Sequence, residues 1–285
     1  VKVHNNYAYV VSEAANHGMQ IFDLTKLRDV VNPPQIFSPD FTFKNFGSAH
    51  NIVINESNGY AYPVGTNRNG IYKGGPLFLN IQDPLNPIEQ GGFTNYAHDA
   101  QVVTYNGPDT EHIGKEILIG SNETEVVIVD ISDKSNPIQL SAISYSNVKY
   151  AHQGWFTEDF NYFILGDELD EFRLGGKTRS IIFDFKDLDN PKLHFEYLGN
   201  TDAIDHNGYV KGTIYYQANY TAGVRMLDIS DIQNKNITEI GFFDTHPEKN
   251  TASFDGAWNV YPFFNSGVIV ISDIQRGLFL IKKSE

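Results

Sequence analysis

Four histidines, His50, His98, His152 and His206, recur 48, 54 and 54 residues apart, each opening a similar phrase. The phrases are Ala49-His50-Asn51, Ala97-His98-Asp99, Ala151-His152-Gln153 and Asp205-His206-Asn207. Asp255 takes the corresponding place 49 residues after His206. Carboxylates follow one strand later: Glu13, Glu123, Asp167, Glu168 and Asp273. Imidazoles ringed by carboxylates suit a divalent transition metal. With an open position they would hold iron, copper or zinc, while the carboxylates orient the rings. Carboxylates and Asn carbonyls alone would favour calcium. Two other roles stand beside metal binding. A histidine at a strand entry can act as a hydrogen-bonded staple, which duplication would copy into every repeat, or it can serve catalysis directly. The acidic segments fit a solvated rim equally well.

The elements that must position these residues repeat six times. The closing phrase is clearest: Met19-Gln20-Ile21-Phe22-Asp23, Leu77-Phe78-Leu79-Asn80, Val126-Val127-Ile128-Val129-Asp130, Ser180-Ile181-Ile182-Phe183-Asp184 and Arg225-Met226-Leu227-Asp228, with Leu278-Phe279-Leu280-Ile281 lacking the Asp. Aromatic alternating runs precede it, such as Tyr60-Ala61-Tyr62 and Ile214-Tyr215-Tyr216, and Asn-Pro turns follow it at Asn86, Asn136 and Asn190. Short alternating runs bounded by Gly, Asn and Pro read as strands. A period near 50 residues built from four of them predicts an all-β propeller of four-stranded antiparallel blades. Six repeats are visible, near 1–47, 48–95, 96–149, 150–203, 204–253 and 254–285, so six or seven blades are expected, forming one domain over 1–285. A linear solenoid would need capping repeats, which the sequence does not show. In a propeller the first strand of each blade is innermost, which would gather the histidines at a channel mouth with the acidic segments around them. The one helical turn expected is Leu24 to Val30. Leu174-Gly175-Gly176-Lys177-Thr178 reads as a turn, not a phosphate loop. Trp155 and Trp258 are expected between blades, and His112, His194 and His246 at the surface.

The chain has 285 residues, 35 acidic against 21 basic, for a formal net charge of -14. Such a surface repels phosphate backbones and argues against nucleic acid as a partner. With no cysteine, disulfides, zinc-thiolate sites and cysteine nucleophiles are excluded. No apolar run approaches the ~20 residues of a membrane span. No nucleophile elbow is present. Val1 is not a start methionine and no signal peptide is in view, so the expectation is a trimmed chain.

Taken together, the Val126-Val127-Ile128-Val129-Asp130-Ile131 phrase resembles the LVIVD repeat. The histidine phrases, with Gly166-Asp167-Glu168-Leu169-Asp170-Glu171 and Ala218-Asn219-Tyr220-Thr221-Ala222-Gly223, resemble the choice-of-anchor B family over essentially the whole chain. That resemblance implies an exported bacterial protein held at the cell surface, and a further repeat segment upstream, favouring seven blades. It supplies no catalytic residues. The leading expectation is therefore a secreted or cell-surface binding module for a glycan or surface protein, with a divalent metal at the channel mouth. The alternative is a metalloenzyme of oxidase, oxygenase or lyase type. The axial placement of its histidines, though not their surrounding motifs, is similar to the four-histidine iron site of carotenoid-cleaving propellers. A purely architectural role is the third.

Overall fold

A computed structural model describes residues 1–283. Each repeat forms one antiparallel sheet, and the strands follow chain order across it. The first sheet holds Lys2–His4, Tyr7–Val11, Met19–Asp23 and Phe41–Phe43, and the second Asn51–Asn55, Tyr60–Val64, Leu77–Asn80 and Ile88–Gly92. The third holds Asp99–Thr104, Glu116–Ser121, Val126–Asp130 and Ile138–Ile143. The fourth holds Ala151–Phe156, Tyr162–Asp167, Arg179–Asp184 and Lys192–Leu198, and the fifth Gly208–Lys211, Ile214–Ala218, Val224–Asp228 and Thr238–Phe243. The sixth has three strands among the described residues, Ala257–Tyr261, Ile269–Asp273 and Gly277–Ile281. Among the described residues there are six sheets, and together they make a six-bladed β-propeller fold. The first sheet has its own opening strand, Lys2–His4.

The closing phrase owes its repetition to two jobs. Its apolar residues form the third strand, buried on both faces in Leu77–Asn80, Val126–Asp130 and Arg179–Asp184, as expected of a strand enclosed between layers. Its terminal Asp or Asn ends the strand by accepting the main-chain N–H two residues on. Asp23 accepts from Thr25, Asn80 from Gln82, Asp130 from Ser132, Asp184 from Lys186 and Asp228 from Ser230, at 2.9–3.0 Å. Such a side chain substitutes for a main-chain turn partner. The fourth strands are the least buried, alternating exposed and half-buried in Thr238–Phe243, and they form the solvated edge of the four-stranded sheets.

Two compact units result, residues 1–105, 114–122 and 128–140, and residues 106–113, 123–127 and 141 onward. In the first, Tyr9, Met19, Ile21, Ile52, Leu77 and Leu79 pack the first sheet against the second. Glu116 is buried there. It accepts from Asn55 Nδ2 at 2.8 Å and from Lys134 Nζ at 2.5 Å, and it also receives the Tyr62 hydroxyl. In the second unit, Tyr162, Ile164, Ile182, Val210, Tyr215 and Leu227 join the fourth and fifth sheets. Tyr209, Val224, Met226, Val260, Ile269 and Ile271 join the fifth and sixth.

The Leu24 turn forms as a 3-10 helix, Leu24–Asp29. An unforeseen α-helical turn, Asp170–Leu174, lies in the acidic segment after Asp167 and ends at Gly175, whose φ of 72° suits glycine.

Candidate functional site

The second unit contains the most complete constellation. His152 lies in the strand Ala151–Phe156, at a register shift between Ala151 and Gln153. A bulge of this kind re-aims a side chain out of the ladder. His206 lies just before Gly208–Lys211. The two imidazole rings stand 4.4 Å apart between centroids, both buried. Glu168 follows Tyr162–Asp167 and faces both. Its Oε2 is 3.7 Å from His152 Nε2 and its Oε1 3.6 Å from His206 Nε2. These separations are too long for hydrogen bonds. They approach the edge of a tetrahedron, about 3.4 Å, that ligands at about 2.1 Å from one metal would make.

Two of the three members are held from behind. His206 Nδ1 donates to the Trp258 carbonyl at 2.5 Å, so whenever the ring is neutral it is Nε2 that offers the lone pair toward Glu168. The Tyr220 hydroxyl donates to Glu168 Oε1 at 2.6 Å. Burial, and after it the Glu168 charge, pushes the Tyr220 hydroxyl pKa well up, so it stays a donor. Glu123 shapes the entry with its main chain: it exchanges N–H···O bonds of 3.2 and 2.6 Å with Ala151.

Behind this trio lie Asp170, Glu171 and Asp205, all buried, with ligand oxygens within 4.8 Å of one another. Arg179 Nε donates to Asp170 at 2.6 Å, and the Arg179 main-chain N–H donates to Glu171. One guanidinium cannot balance three carboxylates in a dry interior. Burial, reinforced by the Asp205 charge, pushes Glu171 up to about 12, and burial also raises Asp170 and Asp205. Asp205 fits because position 166 is glycine; a Cβ there would stand 2.2 Å from Asp205 Oδ2.

In the first unit His50 and His98 form a second pair, ring centroids 3.8 Å apart. His50 Nδ1 is 2.9 Å from the exposed carboxylate of Glu13, and His98 Nδ1 is hydrogen-bonded to the Tyr96 hydroxyl at 3.1 Å. Gly65 gives His50 its room, since a Cβ there would stand 2.5 Å from the histidine Cβ.

Several expected positions differ. Asp255 is not with the histidines. It is half-exposed and binds Lys249, Ser253 and Gln275. The residue in the histidine's place in the sixth sheet is Trp258, at the equivalent register shift between Ala257 and Asn259. Asp167 is fully buried rather than on a rim: it accepts from the Tyr145 hydroxyl and from the main-chain N–H groups of Lys149 and Tyr150. Asp273 is likewise buried, 3.2 Å from His246. His246 and His112 are interior rather than surface residues, and each is matched to an aspartate; His112 Nε2 is 2.8 Å from Asp189. Their place outside the repeat carries no information on burial.

No protein-family model matches the chain, and no curated protein does. Solved structures do. The periplasmic gluconolactonase of Pseudomonas aeruginosa is similar with a TM-score of 0.68 and 13% identity, over 98% of this chain and 79% of that one. A protein from Lactobacillus plantarum is similar with a TM-score of 0.64 and 13% identity, over 97% of this chain and 81% of that one. At this identity the likeness establishes the fold, and it agrees with the six sheets.

Proposed function

We propose that the chain is a binding module of the LVIVD-repeat, choice-of-anchor B type that holds a divalent transition metal. His152, Glu168 and His206 are the ligands in the second unit. The observation that carries this reading is the approach of both Nε2 atoms to the two oxygens of one carboxylate at 3.6–3.7 Å. Two imidazoles and a carboxylate form a donor set suited to zinc, iron or copper rather than calcium. The His50–His98 pair with Glu13 offers the same donor types in the first unit. The Trp258 carbonyl and Tyr220 hydroxyl fix ring and carboxylate orientation, as outer partners do in metal sites.

Acidity, the absence of cysteine and the family resemblance support an exported, cell-surface setting with a glycan or surface protein as the bound partner. Among the described residues no helix is long and apolar enough to cross a membrane. Elemental analysis of purified, tag-free chain, reconstituted with zinc or iron and dialysed, tests the metal. About one ion per chain is expected, lost in His152→Ala/His206→Ala and kept in Asp255→Asn. A wild-type chain that retains no transition metal would end the proposal.

A further inference from the structure

We propose that Phe172, Phe254 and Trp258, with the side-chain network around Asp255, form a carbohydrate-binding platform in the second unit. These three aromatic side chains are 58%, 40% and 41% exposed, and they are not scattered. Phe172 stands 5.4 Å from Phe254 between ring centroids, Phe254 5.5 Å from Tyr220, and Tyr220 6.0 Å from Trp258, the last two pairs nearly edge-to-face. Tyr220 is buried and its hydroxyl is tied to Glu168, so the exposed rings rest on a fixed one. A single exposed apolar residue needs no explanation, but here Phe172 and Phe254 meet directly and Trp258 joins them through Tyr220, and such clustering marks a contact surface. Rigid aromatic faces offer large area at small entropic cost.

The border of the platform selects the ligand. Asp255 Oδ2 accepts from Lys249 Nζ at 3.0 Å and Ser253 Oγ at 2.9 Å, and its Oδ1 accepts from Gln275 Nε2 at 2.7 Å. Gln275 Oε1 in turn accepts from the Gly256 N–H at 2.9 Å. This pre-oriented network presents donors and acceptors together, and the Lys249 ammonium cancels the Asp255 charge. An organic cation placed on these aromatic faces would meet the Lys249 ammonium at the border, which repels it. A neutral ring with one apolar C–H face and an edge of hydroxyls fits both halves. That ring is a saccharide. The inference rests on the binding-module reading but not on the metal.

The chain has two tryptophans, so Trp155→Phe leaves Trp258 as the sole indole. Trp155 packs against Tyr209 and Phe263, away from this border. The Trp155→Phe chain is titrated with hexasaccharides of β-1,4-glucose, β-1,4-N-acetylglucosamine and α-1,4-glucose while Trp258 emission is followed. Affinity electrophoresis on the matching polysaccharides uses the native chain. A saturable blue shift with at least one saccharide is expected. Retention should be abolished by Trp258→Ala and weakened about tenfold by Phe172→Ala, whose side chain is the most exposed of the three, with thermal midpoints confirming folded variants. No shift and no retention with any saccharide, retention untouched by both variants, or a shift given by tetramethylammonium instead would overturn the platform. Saccharide binding that survives a chelator upholds the platform even where the metal proposal fails.

Discussion

Trp258 occupies in the sixth sheet the register shift that His152 occupies in the fourth: Ala151 pairs with Asp167 and Ala257 with Asp273, and in each strand the next residue leaves the ladder. The repeat thus ends by replacing an imidazole with an indole. The indole ring lies 4.4 Å from the His206 ring while its own carbonyl orients that histidine.

Because the carbonyl belongs to the main chain, Trp258→Ala should keep the metal while Glu168→Gln should weaken it. Removing one anionic ligand is expected to lower zinc affinity by at least about tenfold, given that even outer partners are worth 10–100-fold. Competition titration with a chromogenic chelator measures this. Equal affinity in Glu168→Gln would show that the carboxylate is no ligand.

Glu116 should be a stability residue. It satisfies Asn55, Tyr62 and Lys134 at once in the first unit. Glu116→Ala leaves the largely buried Lys134 ammonium with only the Ile131 carbonyl as a hydrogen-bond acceptor, and breaking such a pair costs about 3–5 kcal/mol at most. Urea unfolding should show a lower midpoint with an unchanged slope. A loss below about 1 kcal/mol would mean that Lys134 finds water.

Glu171 predicts a pH dependence. Its carboxyl is raised in the folded chain from an ordinary 4.5 to about 12, mainly by burial. Below the ordinary value both states hold the proton and the contribution is complete. As pH climbs above it, the unfolded chain ionises first and stability falls, by up to about 1.4 kcal/mol per pH unit from this group. Glu171→Gln keeps a neutral side chain, so its alkaline decline in thermal midpoint should be shallower than that of the native chain. Parallel curves would place the charge elsewhere.

The strand-ending aspartates should behave alike and independently. Asp130→Ala loses the bond to the Ser132 N–H, a change of about 0.5–1.5 kcal/mol. Asp130→Asn keeps that acceptor and loses only the partner charge of Lys115, 3.2 Å away. Thermal midpoints should rank native above Asn above Ala.

The sheets were legible because alternation, turn residues and a fixed period all agree from Tyr7 to Ile281. The first-strand histidines were legible for the same reason. Asp255 drew the alignment through its polar side chain, whereas Ala257-Trp258-Asn259 matches Ala49-His50-Asn51 on both flanks and marks the true counterpart. The helical turn Asp170–Leu174 was hidden by its acidic composition, which reads as loop until Arg179 is known to meet Asp170. The burial of Asp167, Asp273, His112 and His246 depends on which loops fold over them, and no local pattern encodes it.

The tie from His206 Nδ1 to the Trp258 carbonyl also gives the centre a place in the order of folding. A nascent chain that had emerged only as far as Asp255 would carry His152, Glu168 and His206 but not the Trp258 carbonyl that holds His206 Nδ1. The orientation of His206 would be completed only when the sixth sheet docks, so a metal bound there would act as a latch on that sheet rather than a seed for the earlier ones.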